Sequence, residues 1–434
     1  MATTLAVFTY LEDRFVPAGL LTMTETGTEV LTSGFRYGTL YLDRPQAVEI
    51  DPVSLPVTDR AAVRGKELRP IEGLTLFGGI RDAAPDAWGR RVIESRLKAP
   101  PNGLPESTYL LEAGSQRVGA LDIRRSLDAP PVSVRNSIHR LEYLMEAADR
   151  IEQGLPIPAQ LEDIFLAGSQ LGGMRPKAGV EDDAGVLWLA KFRSHGERID
   201  VPAIESATLQ LADAAGLDVP PVRTETIGGK SVMLIQRFDR TLADDVQLRH
   251  HMLSALTMLG CHEAESRNKS YADIADAIRA RTDEHAIKPG CRELFGRMVF
   301  NIFVTNDDDH LRNHAFLWNT ETRSWRLSPL YDVMPRPMLA FERNLHLCVG
   351  QQGRLATLDN ALSGYARFGI TRQDALEIID RIWRVVREWK VRFESYGVAG
   401  REIEAVASAF RHLDDVASPD LKNITRLHTK KADQ

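Results

Sequence analysis

Polar and apolar positions along the chain change period several times, and each change predicts an element. Residues 5–9, LAVFT, and 38–43, GTLYLD, read as strands set off by Gly, Thr and Pro. From Asp82 to Leu97, DAAPDAWGRRVIESRL takes on a helical period after Pro85. These pieces predict a small α+β unit over roughly the first hundred residues. KAPPNGLPEST then reads as a boundary or a long loop. NSIHRLEYLMEAADRIEQG predicts an amphipathic helix with Ile138, Leu141, Leu144, Met145, Ala148 and Ile151 on its apolar stripe and Gly154 as its stop. A glycine-rich turn, FLAGSQLGGMRPKAGV, precedes the short apolar strand GVLWLAKF. The helix PAIESATLQLADAAG, closed by Gly216, and the strand SVMLIQRFDR follow. Beyond Leu248 the pattern is mainly helical: HMLSALTMLG, YADIADAIRA, CRELFGRMVFNIFVTN, and TRQDALEIIDRIWRVVREWKVRFESYG as one helix or two. WRLSPL reads as a strand, and the polar tail after about Leu413 reads as frayed.

Composition narrows the class without choosing a function. The chain has 434 residues, is 43% hydrophobic, and carries a formal charge of −6 with 26% charged residues. That is enough apolar material for one large core or two to three smaller ones. The charge gives no global pull toward nucleic acid. Cys261, Cys291 and Cys348 share no short spacing, which argues against a disulfide framework or a structural zinc site. The first residues lack a basic segment ahead of an apolar stretch, and no apolar run has membrane-spanning length. A cytoplasmic protein is expected.

The densest chemistry lies in FVTNDDDHLRNHAFLW, residues 303–318. Asp308 and Asn313 stand five residues apart, with Asp332 beyond them. A carboxylate that accepts a hydroxyl proton and an amide oxygen that helps to hold Mg²⁺ can share one loop at that spacing. A second carboxylate from a neighbouring segment can complete a site of hard oxygen ligands. Phosphoryl transfer needs little else from a protein beyond charge clamps on the phosphates. Upstream, GSQLGG could bring backbone N–H groups close to phosphate oxygens. Lys191 ends the WLAK strand among apolar neighbours, and Glu205 on the next helix is its candidate partner. Each piece has a plainer reading: a solvated acidic loop at Asp307, a common glycine turn without a P-loop ending, a lysine reaching out from a strand edge. His310 reads as a core histidine, a loop-orienting residue or a metal ligand, and oxygen donors nearby disfavour the last. The order of the pieces is more specific than any one of them.

In that order the chain resembles the HipA-type serine/threonine kinases, toxin components of bacterial toxin–antitoxin pairs, over nearly its whole length. GSQLGGMRPKA is similar to that family's Ser-containing, Gly-rich segment with its trailing lysine. VPAIESATLQLADAAGLDVP is similar to the helix that supplies the glutamate, LIQRFDR to the hinge, TNDDDHLRNHAFLW to the D-G-H-x-x-N catalytic segment, and LSPLYDV to the metal-binding segment. The resemblance implies an α+β, protein-kinase-like bilobal fold with an additional small N-terminal α+β subdomain. Its expected divisions are residues 1–125 for that subdomain, 126–244 for an N-lobe-like region and 245–434 for a helical C-lobe-like region. It implies ATP and Mg²⁺ as cofactors, Asp308 as catalytic base, and Asn313 and Asp332 as Mg²⁺ ligands. Ser169, Gly172, Gly173, Lys177, Lys191, Glu205, Gln236 and Phe238 become nucleotide-binding positions, and His310 orients the loop. Ser169 is also the expected autophosphorylation site, since a phosphoserine carries up to about two negative charges into a phosphate-binding loop. Lys177 and Arg175 could pair with the nucleotide's phosphates or with that phosphoserine.

Two positions depart from the family. Asp309 stands where glycine is common, and it either points outward or raises the proton affinity of Asp308. Gln236 stands where an acidic residue is frequent. The family also implies a protein substrate such as an aminoacyl-tRNA synthetase or another translation component. A small helix-turn-helix antitoxin would be the partner and would make most of the DNA contact. No membrane partner is expected. The alternatives are a small-molecule kinase of related fold, a catalytically silent transcriptional co-repressor, and a metal-dependent hydrolase using Asp307 to His310.

Overall fold

The computed structural model describes residues 2–132, 136–158 and 174–423. Two compact units account for them: Met1–Glu197 with Glu225–His262, and Arg198–Thr224 with Glu263–Gln434. Among the described residues no helix is long and apolar enough to cross a membrane.

The first unit is built on antiparallel hairpins. Strands β1 (Ala2–Leu11), β2 (Arg14–Thr26), β3 (Glu29–Tyr37) and β4 (Leu121–Arg124) form a sheet in the order β3-β2-β1-β4. A second sheet joins β5 (Lys177–Glu181), β6 (Leu187–Lys191), β7 (Val222–Ile227) and β8 (Lys230–Gln236) in the order β5-β6-β8-β7. A two-stranded hairpin, β9 (Arg240–Ala243) and β10 (Val246–Arg249), follows. GTLYLD, expected as a strand, is instead a short helix over Thr39–Leu42. It buries the neighbouring Tyr41 and Leu42 and leaves Leu40 80% exposed, which a period of two would not do.

The helix expected from 136 to 154 runs over Leu141–Glu152, with a 3₁₀ turn at Ile138–Arg140 before it. Its predicted stripe is the buried one. Leu141, Leu144, Ala148 and Ile151 pack with Val180, Trp188, Val232 and Leu234 of the second sheet and with Phe192 just past it. Trp88 joins this core from the helix Ala87–Leu97, and its Nε1 donates to the Lys177 carbonyl at 2.9 Å. Asp86 caps that helix by accepting from the Gly89 N–H at 2.7 Å.

In the second unit the 21-residue helix Glu284–Val304 is buried along its C-terminal half, from Leu294 to Val304. It starts about two turns before the CRELF segment and accommodates Pro289 near its N-terminus. The long segment from Thr371 resolves into two helices, Arg372–Val386 and Trp389–Ser395. The first buries Leu376, Ile379, Ile382 and Trp383, and stacks Trp383 on Phe303 with centroids 5.4 Å apart. Val201–Ala214 is the expected helix, capped by Asp200 and ended at Gly216, whose φ of +75° fits glycine. WRLSPL supplies the strand Ser324–Leu327, paired with Ala315–Asn319. Of the tail expected to fray, the described part runs to residue 423, and residues 424–434 lie outside the described residues. A capped turn covers Leu413–Val416, and Leu421 is buried.

Candidate active site

The acidic loop begins where the helix Glu284–Val304 ends. Thr305 takes a left-handed conformation (φ 52°), and the Asn306 N–H donates back to the Asn301 carbonyl at 3.1 Å. That reversal sends the three aspartates in different directions. Asp309 turns inward and is 1% exposed. Its Oδ2 accepts from the Tyr271 hydroxyl at 2.6 Å, Asn301 Nδ2 at 2.7 Å and His314 Nε2 at 2.9 Å. Burial pushes the Asp309 carboxyl up, but the His314 ring, its hydrogen bond, Tyr271 and His310 outweigh that and hold it below the usual range. A carboxylate only accepts, so His314 Nε2 carries the proton. Burial, and then the same contact, push the Tyr271 hydroxyl well above its ordinary value. Of the two orientations open to Asp309 in the sequence, the inward one is found. It is the loop's anchor.

Asp308, by contrast, keeps its carboxylate in solvent, with 54% of the side chain exposed. Its carbonyl is held twice, by the His310 N–H at 2.8 Å and by Asn313 Nδ2 at 3.1 Å. The second bond orients the Asn313 amide: with Nδ2 committed to that carbonyl, Oδ1 is the end left to face a cation. His310 opens a 3₁₀ turn over Leu311–Asn313, and its carbonyl accepts from the Asn313 N–H at 2.9 Å. Its ring meets His346 edge-on at 5.8 Å. His346 reaches Ser266 Oγ at 3.0 Å, and that oxygen accepts from the Leu311 N–H at 3.2 Å. Burial and the facing His310 lower the His346 pKa to about 4.

Asp332 lies between buried Leu330 and Val333 at φ 58°, the left-handed region that non-glycine residues rarely adopt. Such strain concentrates at functional positions. Tyr331 is pinned beside it by donating to the Arg312 carbonyl at 2.7 Å. Asn313 and Asp332 offer hard oxygen donors, the kind Mg²⁺ takes while leaving positions for substrate phosphates. Among the described residues no group of three or more His, Cys, Asp and Glu side chains gathers for a metal. Two oxygen donors leave most of an octahedral ion's positions open, which suits an ion shared with phosphates.

Arg336 was not singled out in the sequence. Its Nη2 donates to Asp308 Oδ2 at 2.6 Å, and its Nε lies 3.2 Å from Asp307 Oδ1. Its backbone N–H bonds the Thr305 carbonyl at 3.1 Å, so it is tied to the loop's first residue. Its one sequence signal is its place four residues after Asp332. Tyr271, Asn301 and His314 were not expected to hold Asp309: the first two belong to helices whose period marks them only as buried, and His314 stands between a 3₁₀ turn and a strand.

In the first unit, Lys191 closes β6 and is buried, directly across the sheet from Lys177 on one side and Met233 on the other. Lys177, 2% exposed, places its Nζ 3.0 Å from Asp86. Asp86 is a partner the sequence reading did not consider, although burial still raises its carboxyl against the pull of Lys177. Arg175 pairs with Glu197 at 3.2 Å. Gln236 ends β8 opposite Trp188 and is half-buried, as is Phe238. Glu205 is buried in the helix Val201–Ala214 of the second unit. Ser169, Gly172 and Gly173 lie outside the described residues.

The RFDR stretch does more than continue the predicted hinge. Asp239 accepts from Arg237 Nε (3.0 Å) and Nη2 (2.8 Å), from Arg240 Nη1 (2.8 Å) and from the Gly119 N–H (2.8 Å). Arg237 and Arg240 also donate to the carbonyls of Gln116, Arg117 and Gly119. Burial raises the Asp239 carboxyl, yet the two arginines hold it far below the usual range. Gly119, at φ +75°, is what lets the backbone approach.

The HipA-like C-terminal domain family matches residues 169–389. Y4mE of Sinorhizobium fredii, a kinase by name, is 29% identical over 320 residues, 69% of this chain and 71% of that protein. A second kinase by name, from Haemophilus influenzae, is 28% identical over 145 residues, 31% of this chain and 41% of that protein. The structure of HipA from Shewanella oneidensis MR-1, solved with HipB and operator DNA, is similar with a TM-score of 0.66 and 16% identity, over 93% of this chain and 94% of that one. This chain therefore has the mixed α and β fold of that structure, with its open sheets and extra N-terminal subdomain.

Proposed function

The chain belongs to the HipA-like family, and from that premise we propose that it is an ATP-dependent serine/threonine protein kinase of a toxin–antitoxin module. The observation that carries this reading is the division of labour in the acidic loop. Asp308 presents an exposed carboxylate on a backbone fixed by Asn313, while Asp309 is consumed in anchoring. A general base must reach the proton it takes, and a rigid support keeps it within hydrogen-bonding distance. Asp308 would accept the proton of a Ser or Thr hydroxyl. Asn313 Oδ1 and Asp332 would hold Mg²⁺, and Lys191 would meet phosphate oxygens. When bound, ATP–Mg²⁺ supplies the transferable phosphoryl group and neutralises its charge. On the segment after Asp332, Leu339 is 98% and Phe341 76% exposed, which supports a macromolecular acceptor over a small molecule in an enclosed pocket.

By analogy with the HipA that was solved with HipB and operator DNA, a small helix-turn-helix antitoxin is the proposed partner, with DNA contacted mainly through it. A translation component is the proposed substrate class, Ser169 the proposed autophosphorylation site and the cytoplasm the proposed location. The test is incubation of the full chain with labelled ATP and Mg²⁺ beside Asp308→Ala, followed by mass spectrometry of the protein and of a cell lysate. Incorporation that disappears in the variant supports the assignment. Equal incorporation by both overturns the base, and no incorporation into any protein supports a silent co-repressor instead.

A further inference from the structure

A polar cavity lies in the first unit, lined by residues that the proposed catalytic scheme does not use. It holds about 280 Å³, room for a small ion and one ring and too little for a nucleotide. One wall is the β9–β10 hairpin, whose turn residues Asp244 and Asp245 both have positive φ (48° and 61°), as a tight two-residue turn demands. The register places Arg240 directly opposite Arg249. Like charges at opposed positions of an antiparallel pair repel, so this hairpin carries a standing conflict.

Asp239 pairs with Arg240 at 2.8 Å, which leaves Arg249 as the member of the pair with no carboxylate in contact among the described residues. Five guanidinium groups, those of Arg117, Arg124, Arg237, Arg240 and Arg249, gather around two buried carboxylates, Asp122 and Asp239. Asp13 and Asp245 are exposed at the edge and are screened by water. Arg117 Nε, Arg124 Nη2 and Arg240 Nε are buried and have no hydrogen-bond acceptor among the described residues. Arg249 donates to the Ser115 carbonyl and, at a long 3.4 Å, to Gln116 Oε1. Neither acceptor carries charge. Burial and the nearby Arg237 lower the Arg249 pKa to about 10, consistent with positive charge in excess. Opposite, Tyr10 and Phe15 pair edge to face at 5.4 Å, and the Arg249 guanidinium lies 4.8 Å from the Phe15 centroid.

We propose that this pocket binds a small oxyanion bearing an aromatic or apolar group. Arg249 and Arg240 receive its charge, and Tyr10 and Phe15 cover its carbon part. A bound oxyanion would supply the charged acceptor that Arg249 lacks among the described residues, in a charge-assisted contact. A phosphate ester and a carboxylate share this chemistry, and titration separates them.

The test is calorimetric titration of the full chain with phenyl phosphate, inorganic phosphate and benzoate. Phenyl phosphate is expected to bind, and to bind more tightly than inorganic phosphate. Arg249→Gln should weaken it at least tenfold, while Lys191→Met, at the proposed nucleotide position, should leave it unchanged. Benzoate matching phenyl phosphate would support the site and assign it to carboxylates, and weaker benzoate would support it and assign phosphate esters. Unaltered affinity in Arg249→Gln, or loss in Lys191→Met alone, overturns the proposal. If Arg249→Gln does not fold, Phe15→Leu serves instead. It should remove the preference for phenyl over inorganic phosphate, and a preference that persists overturns the role of the rings.

Discussion

Asp308 and Asp309 are chemically identical neighbours, and their environments give them opposite duties. Asp309, buried among Tyr271, Asn301 and His314, is a structural anion. Asp309→Ala leaves these donors facing a void and should cost about 3–5 kcal/mol, read as a lowered midpoint in urea. The identities of the loop residues were legible, because an aspartate five positions before an asparagine marks itself. The direction of Asp309 was not, since it depends on a tyrosine and an asparagine from two other helices. A second residue-scale prediction concerns His251 in the first unit, buried against Thr9 Oγ1 at 3.1 Å and the Tyr10 carbonyl at 3.2 Å. Burial, against the pull of the Tyr10 carbonyl, lowers its pKa from 6.5 to about 4. Above pH 6.5 the ring is neutral whether the chain is folded or not. As pH falls from 6.5 toward 4, only the unfolded chain takes up the proton, so stability drops by up to about 3 kcal/mol and then levels. His251→Gln should flatten that part of the stability–pH profile, and an unchanged slope would refute the assignment.

At the scale of elements, periodicity located the helices Leu141–Glu152, Val201–Ala214 and Arg372–Val386, because each shows the core one stripe or is buried nearly all round. It failed at Thr39–Leu42, where one turn is too short to establish a period. It was also silent about how strands are joined to loops. RFDR reads as the end of a strand, yet Asp239 draws β9 and the 116–119 loop into one arginine-rich knot. Nothing in the spacing identifies that loop. Asp239→Asn removes the charge that compensates Arg237 and Arg240 and should destabilise the protein by about 3–5 kcal/mol. Hydrogen exchange should increase at Gly119, whose N–H loses its carboxylate acceptor. Protection that survives at Gly119 would mean that the loop is held by other bonds.

For the molecule as a whole, the order of motifs carried more than any similarity of residues could. A structure only 16% identical has the same fold over 93% of the chain, because burial patterns survive substitutions that erase identity. The proposed chemistry makes a demand of the same kind, that residues far apart in sequence act in one reaction. Asp308 is mostly exposed, so Asp308→Ala should shift stability by no more than about 0.5 kcal/mol. Loss of a general base should nevertheless lower phosphate incorporation by about 10²–10⁴-fold. Lys191→Met should also abolish incorporation, but as a buried position it is expected to alter the melting temperature. Arg336 supplies the discriminating case. It holds Asp308 and Asp307 without being a ligand or a base in the proposed scheme. Arg336→Gln should therefore retain phosphorylation while changing its rate, whereas Asp308→Ala should not. A kinase assay on the three variants, each with its melting curve, separates loss of chemistry from loss of fold. If Arg336→Gln were as inactive as Asp308→Ala at unchanged stability, the arginine would have to be counted among the groups that touch the reacting phosphate.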